Sequence, residues 1–443
     1  MASLELSMIV KNGAATLARC LESVRPIVDE IVIADTGSTD ATAQIAHSYG
    51  ARVINVPWED DFSKARNAAL QHGRCDWVLF LDDDELLDAE AAARIAPLLS
   101  NPQALGYDVR IWNYVQTLTN RMLNSAACPN PHRIIAAEKF PAYVEHVNVR
   151  LFRRHPQIFF EGRVHEGVAD RMKRMGLNVA AADFIIHHLG IAEDCAEQRT
   201  RKMEYYRQLG QKKLCDAPDD FRAHCEMGLG ELEHFHSPGS ALPHFIRAIE
   251  LKPDSPMLWT YAGICQIRLG KLQEGLATLQ RAEQLGGSGA VHLEAMGDAQ
   301  YHLENFQDAK RNYEAASAAG SQSSVLQSKL GVCEVRLGFA ELGLRRIQDA
   351  VDREPEFGEL YDILMAAALF AGNRTLAAET AEHRLSVGPP SPERFLLTAG
   401  VRAQLGEWKR VAEILRDGCA RFPEDTKLRS AMAEVNQRSA TGQ

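Results

Sequence analysis

The sequence predicts an α/β domain with a parallel, doubly wound sheet, followed by an all-α array of helical repeats. Three observations predict it. Short β-branched runs alternate with helical patterns up to about residue 120. Small residues recur every 34 positions beyond about residue 220. The length, 443 residues, suits two or three domains with a sizeable core. The chain changes character near residue 205, which places the first domain at 1–205, a linking helix at 206–220 and the repeats at 221–443.

The strand-like runs are Leu6–Val10, Glu30–Ala34, Arg52–Val56 and Trp77–Leu81, short, β-branched and mostly apolar as buried parallel strands are. Helical patterns at Ala15–Val24, Ala41–Tyr49, Lys64–His72 and Ala89–Leu99 fall between and after them. Ligands of such sheets sit at the carboxyl ends of strands, so the residues standing there matter most. After the second run comes Asp35-Thr-Gly-Ser-Thr-Asp40, with Asp35 facing the crevice and Asp40 able to cap the next helix. After the fourth come Asp82, Asp83, Asp84 and Glu85. Four consecutive acids are costly to crowd unless a cation compensates, and hard divalent ions take carboxylate and phosphate oxygens together. The plain alternative is a solvated acidic loop leading into a helix.

These segments, VKNG, LARCLESV, DEIVIADTGSTDAT, DFSKARNAAL and DWVLFLDDDE, resemble in order and spacing the N-terminal half of family 2 glycosyltransferases, over about residues 5–95 closely and 105–205 more loosely. The resemblance implies a GT-A fold and a nucleotide-sugar site comprising Lys11, Asp35, Asp40, Asp61, Arg66, Asn67, Asp82 and Asp83. Asp35 takes the position that contacts the base. The D-x-D motif falls on Asp82 and Asp84, with Asp84 as a ligand of Mn²⁺ or Mg²⁺ and Asp82 near ribose and metal. Arg66, always charged and multidentate, suits a diphosphate. Gly13 departs from the pattern, since close relatives often carry Glu there.

Further strand-like runs lie at Gly106–Tyr114, Val147–Phe152 and Gln157–Phe160, with a long loop or lid at Thr117–Tyr143. An inverting sugar transfer needs a carboxylate to deprotonate the acceptor. Glu166, in a V-H-E motif similar to one recurring in the family, is the expected base, with Glu161 as runner-up. A late histidine often completes the metal site of GT-A enzymes; His187 and His188 both qualify, and strand alternation points one of them inward.

In the C-terminal half, Gly270, Glu304, Gly338, Gly372 and Gly406 stand 34 apart, as do Gly263, Gly297 and Gly331. This period, with small residues where paired helices touch, is the tetratricopeptide signature, here in about six units. Such arrays expose a concave surface that binds protein or peptide, or a second copy of the chain. The expected activity is therefore a metal-dependent transfer from a UDP-type donor to a protein or peptide acceptor. A glycan or lipid-linked acceptor in envelope polysaccharide assembly, or a non-catalytic scaffold, is the alternative. The net charge of −10 argues against nucleic acid as the main partner. No signal peptide and no run of about 18 apolar residues is present, so a cytoplasmic protein without a transmembrane segment is expected.

Overall fold

The computed structural model describes residues 2–116, 121–122, 125–321 and 323–441. They form two compact units, Met1–Asp254 and Ser255–Gln443.

The first unit opens with β1 (Leu4–Val10), α1 (Leu17–Val24), β2 (Glu30–Asp35), α2 (Thr42–Ser48), β3 (Arg52–Asn55), α3 (Phe62–His72) and β4 (Trp77–Phe80). β1 pairs in parallel with β2 and β4, and β2 in parallel with β3. Every residue of β1 is buried. Leu4, Leu6, Met8 and Val10 pack with Leu17, Leu21 and Val24 of α1, whereas Ile9 packs with Ala65 and Ala69 of α3. Burial on both faces leaves Glu5 and Ser7 as the polar members of the run, and Glu5 is paired with Arg154.

Then follow β5 (Glu85–Leu87), α4 (Ala91–Leu99), β6 (Gly106–Val115) and the two-residue strands β7 (Arg121–Met122), β8 (Ser125–Ala126) and β9 (Cys128–Pro129). β10 (Ala142–Arg153), α5 (Ala169–Arg174) and β11 (Val179–His188) complete the sheet, whose order is β3-β2-β1-β4-β10-β6-β11-β5. The doubly wound half is parallel as expected, but β10 runs antiparallel to both β4 and β6, so the sheet as a whole is mixed. Of the expected lid at 117–143, residues 117–120 and 123–124 lie outside the described residues. Gln157–Phe160 is not a strand. The Asn67 side chain takes both backbone groups of Phe160, receiving its N–H at 2.8 Å and donating to its carbonyl at 2.9 Å, which replaces a ladder by a single amide clamp.

Helices α6 (Gly190–Glu193), α7 (Ala196–Asp216), α8 (Phe221–Glu233) and α9 (Pro238–Leu251) also belong to the first unit. The helix expected at 206–220 thus begins ten residues earlier, and the first helical pair is grouped with the α/β domain.

The second unit consists of helix pairs: α10 (Pro256–Arg268) with α11 (Leu272–Gln284), α12 (Ala290–His302) with α13 (Phe306–Ala318), α14 (Ser324–Arg336) with α15 (Ala340–Arg353), α16 (Gly358–Phe370) with α17 (Arg374–Ser386), and α18 (Pro392–Ala403) with α19 (Trp408–Arg421), ending in α20 (Thr426–Thr441). The recurring small residues lie where paired helices touch. A Cβ on Gly343 would stand 2.3 Å from the Gly331 carbonyl oxygen, so α14 and α15 approach backbone to backbone. No described helix is long and apolar enough to cross a membrane.

The turns inside the pairs explain the other periodic register. Gly270, Gly338, Gly372 and Gly406 all have φ between 73° and 93°, and Glu304 occupies the same left-handed position at φ 61°. A side chain there costs about 1–2 kcal/mol relative to the right-handed region. Its ion pair with Arg336, at 3.6 Å and exposed, offsets little of that. Glu304→Gly should therefore stabilise the chain by about 1 kcal/mol, read as a raised urea midpoint. An unchanged or lowered midpoint would show that the turn carries no such strain.

Candidate functional site

The carboxyl ends of β1, β2 and β4 open into a cavity of about 570 Å³. β1 contributes Ile9, Val10 and, just beyond its end, Lys11; Thr36 follows β2. Asp82, Asp83 and Asp84 stand just past β4, α3 supplies Phe62 and Arg66, and β10 supplies His146, Asn148 and Arg150.

Its centre is a ladder of alternating charge. Arg66 is only 5% exposed, donating from Nε to Glu166 at 2.6 Å and from Nη2 to Asp82 at 2.5 Å. Arg150 donates through both terminal nitrogens to Glu85, at 2.8 and 3.1 Å, and lies 4.0 Å from Asp82. Both guanidiniums sit on the Phe80 ring, at 5.0 and 4.7 Å from its centre, and Arg66 also faces Phe160 at 5.7 Å. Burial alone would raise the Asp82 pKa, but the two arginines outweigh it and hold the carboxyl far below its ordinary value. Glu85 is fully buried against Arg150, so it is a structural member of the acidic run. Burial raises its pKa against the pull of Arg150.

The next two acids differ. Asp83 accepts from the Thr16 hydroxyl, and burial pushes its pKa up to about 6. A Cβ on Gly13 would stand 2.6 Å from its Oδ2, so the glycine that departs from the family pattern makes room for this carboxylate. Asp84 has a buried Oδ1 with no hydrogen-bond partner, lying 3.4 Å from His188 Nε2. Burial opposes the charge on His188, yet pairing with Asp84 prevails and raises it to about 8. Gly190 is packed against the same group, since a Cβ there would fall 1.8 Å from Asp84 Oδ2.

The adjacent histidines separate as strand alternation requires. His188 lines the cavity. His187 points into the core, fully buried, with Nδ1 2.9 Å from the Tyr114 hydroxyl and Nε2 3.8 Å from Asp88; burial lowers it to about 4.

Lys11, Arg66, Asp82, Asp83, Asp84, Glu166 and His188 are thus brought together. Asp35, Asp40, Asp61 and Asn67 are not among the lining residues. Asp35 accepts from the backbone N–H groups of Gly37 and Ser38 and so shapes the turn after β2. Asp40 accepts from the backbone of Ala14 and Thr42, tying the loop after β1 to the start of α2. Asp61 caps α3 through the Lys64 N–H, and Asn67 clamps Phe160. Glu161 is held by Arg171 and Arg174 on the outside of the cavity, which removes it from the role of a base.

Sequence reasoning missed one wall. Lys202, Tyr205 and Tyr206 of α7 line the cavity at spacings of three and four, hence on one helical face. Tyr205 meets Trp58 Nε1 at 2.5 Å and Asp60 at 3.0 Å, and Asp60 also takes Lys212. The signal was available as an aromatic pair within a polar helix. Arg150, His146 and Asn148 were also missed: Asn148 and Arg150 lie within the run read only as a strand at Val147–Phe152, and His146 falls just before it. His165, just before Glu166, has φ 54°, a left-handed conformation that helps set the direction of the following residue.

Residues 6–157 match the family model described as glycosyl transferase family 2. A TPR repeat-containing protein of Synechococcus elongatus is 34% identical over 227 residues, half of this chain and half of that one. The SPbeta prophage-derived glycosyltransferase SunS of Bacillus subtilis is 25% identical over 199 residues, 44% of this chain and 42% of its own. The chain spans about half the length, or less, of these curated relatives. Among solved structures, PilW, a type IV pilus biogenesis factor, aligns with 15% identity and a TM-score of 0.42, over 48% of this chain and 98% of its own. The cavity with its Asp82–Asp84 cluster lies in the same sheet that the family model matches, and the chain therefore carries a glycosyl transferase family 2 domain at its N-terminus.

Proposed function

We propose that the first unit is an inverting, metal-dependent glycosyltransferase acting on a nucleoside diphosphate sugar of the UDP type. The observation that carries this is the meeting, in one cavity of a family 2 domain, of the Asp82–Asp84 acids with Arg66, Lys202 and Glu166. Lys11 and Thr36 mark the nucleotide end, which the resemblance extends to Asp35. Lys202, 3.8 Å from Asp194 and within the field of Asp84 and Asp82, offers a cation to the diphosphate from α7.

Asp84 Oδ1, which has no hydrogen-bond partner, and His188 Nε2, 3.4 Å from it, would hold a hard divalent ion, Mn²⁺ or Mg²⁺, with Asp82 added by the D-x-D resemblance and phosphate oxygens of the donor completing the set. When bound, such an ion offsets the negative charge that develops on the departing diphosphate. Glu166 is the base for the acceptor proton, oriented by Arg66, whose second arm keeps Asp82 ionised. The rings of Phe80 and Phe160 shield the Arg66 guanidinium from water, which strengthens its contact with Glu166.

The repeats favour a protein or peptide acceptor, because arrays of such helix pairs expose a surface that binds protein. A second copy of the chain is the other occupant a repeat surface invites.

Glu166→Gln should lower transfer or donor hydrolysis by about 10²–10⁴-fold while leaving donor affinity unchanged, because a base acts in the transition state. Lost donor affinity would move Glu166 into the donor site. Gly190→Ala should weaken Mn²⁺ binding at least tenfold by calorimetry, through displacement of Asp84, on the order of the 1.4 kcal/mol that tenfold represents. Unaltered Mn²⁺ affinity would remove Asp84 from the metal site. Lys202→Met should weaken UDP binding roughly tenfold, and an unchanged affinity would make α7 a passive wall.

A further inference from the structure

Asn113 is the buried hub of the β10 side of the cavity. It lies on β6, opposite Val144 of β10 and opposite His188 of β11. Its Nδ2 is 3.1 Å from the Val144 carbonyl oxygen and 2.7 Å from His146 Nδ1, and its Oδ1 is 2.8 Å from His188 Nδ1. A carbonyl oxygen only accepts, so the Val144 contact fixes which end of the amide faces β10. At 1% exposure the amide has no solvent to turn toward.

The two histidine tautomers follow. Nδ2 donates to His146, so His146 Nδ1 carries a lone pair and its single proton sits on Nε2. Oδ1 accepts from His188, so His188 Nδ1 keeps a proton whether the ring is charged or neutral, and Nε2, facing Asp84, is the atom that gives up its proton to take a cation. One amide sets opposite faces on two rings that both line the cavity.

We propose that Asn113 is a positioning residue that fixes both tautomers, so that His188 offers a metal-ligating nitrogen while His146 offers an N–H that binds an oxygen of the transferred sugar. The inference rests on the glycosyltransferase reading for its ligand, not for its tautomers. The placement of the sugar comes from the sheet order. Lys11 and Thr36 line the cavity from β1 and β2, whereas His146 and Asn148 line it from β10, on the far side of β4. A nucleotide over the first pair extends its sugar toward the second. Residues 146, 148 and 150 alternate onto one face of β10, where Arg150 is committed to Glu85, leaving His146 and Asn148 as that strand's neutral polar side chains in the cavity.

The test uses the full chain with nitrogen-15-labelled histidine, His146 being assigned by its missing signals in His146→Phe. The two-bond proton–nitrogen pattern should show His146 protonated at Nε2 alone and His188 protonated at Nδ1, with any second proton of His188 on the Nε2 that faces Asp84. In Asn113→Asp, which keeps an acceptor for His188 but loses the donor to His146, the His146 proton should move to Nδ1 while Mn²⁺ affinity stays within about threefold of the starting protein. His146 protonated at Nδ1 in the unaltered chain, or an unmoved pattern in Asn113→Asp, overturns the positioning role. For the sugar, His146→Phe should weaken UDP-glucose roughly tenfold and leave UDP unchanged, with His146→Gln recovering most of the loss through its own N–H. Equal losses for UDP and UDP-glucose, or none, overturn the sugar contact. If UDP, GDP and dTDP all fail to bind the unaltered protein with Mn²⁺, the glycosyltransferase reading falls and the sugar contact with it, while the ring spectra still decide the tautomers.

Discussion

Two buried arginines laid on one phenylalanine hold the site together. Arg66 and Arg150 share the Phe80 ring and between them pair with Glu166, Asp82 and Glu85. Ions taken out of water are expensive, and each is tolerable here because an opposite charge stands within hydrogen-bond reach. Removal of one rung would leave uncompensated charge in a ring-walled cavity, at about 3–5 kcal/mol for a buried pair. The same economy keeps Asp82 ionised while its neighbour Asp83, without an arginine, is lifted toward neutrality.

The consequence is a division of labour within four consecutive acids. Glu85 belongs to the fold, Asp82 to the charge ladder, Asp83 to Thr16 and the Gly13 loop, and Asp84 to His188 and the open cavity. Two glycines far apart in sequence, Gly13 and Gly190, are explained by this one acidic turn, because each lies where a Cβ would strike one of its carboxylates. The helical unit obeys a different constraint. Its pairs close on small residues and turn through left-handed positions, so its periodicity reports packing and not chemistry.

The parallel half of the sheet was legible because burial on both faces makes β1, β2 and β4 mostly apolar, and the repeats because a helix pair admits only small side chains at its closest approach. Arg66, Asp82, Asp84 and Glu166 could be singled out because they recur in a known order. The roles of Asp40, Asp61 and Asn67 could not. Asp40 and Asn67 reach backbone groups that only folding brings near, those of Ala14 and Phe160, Asp61 caps its own helix at Lys64, and none of the three lines the cavity. Likewise Gln157–Phe160 has the apolar content of a strand but finds an amide clamp where a strand would find a neighbour.

The sequence by itself determined the elements, their period and the residue types at the strand ends, since these depend on local sterics and on which side chains leave water. Only the tertiary structure decided which histidine meets Asp84, which acid meets Arg150, and that α7 lends Lys202, Tyr205 and Tyr206 to a cavity built by the sheet. Those choices depend on the antiparallel entry of β10, the register of β11 against β6 and the return of a helix across the strand ends. They join residues about 100 positions apart, and no local pattern in the chain records such distances.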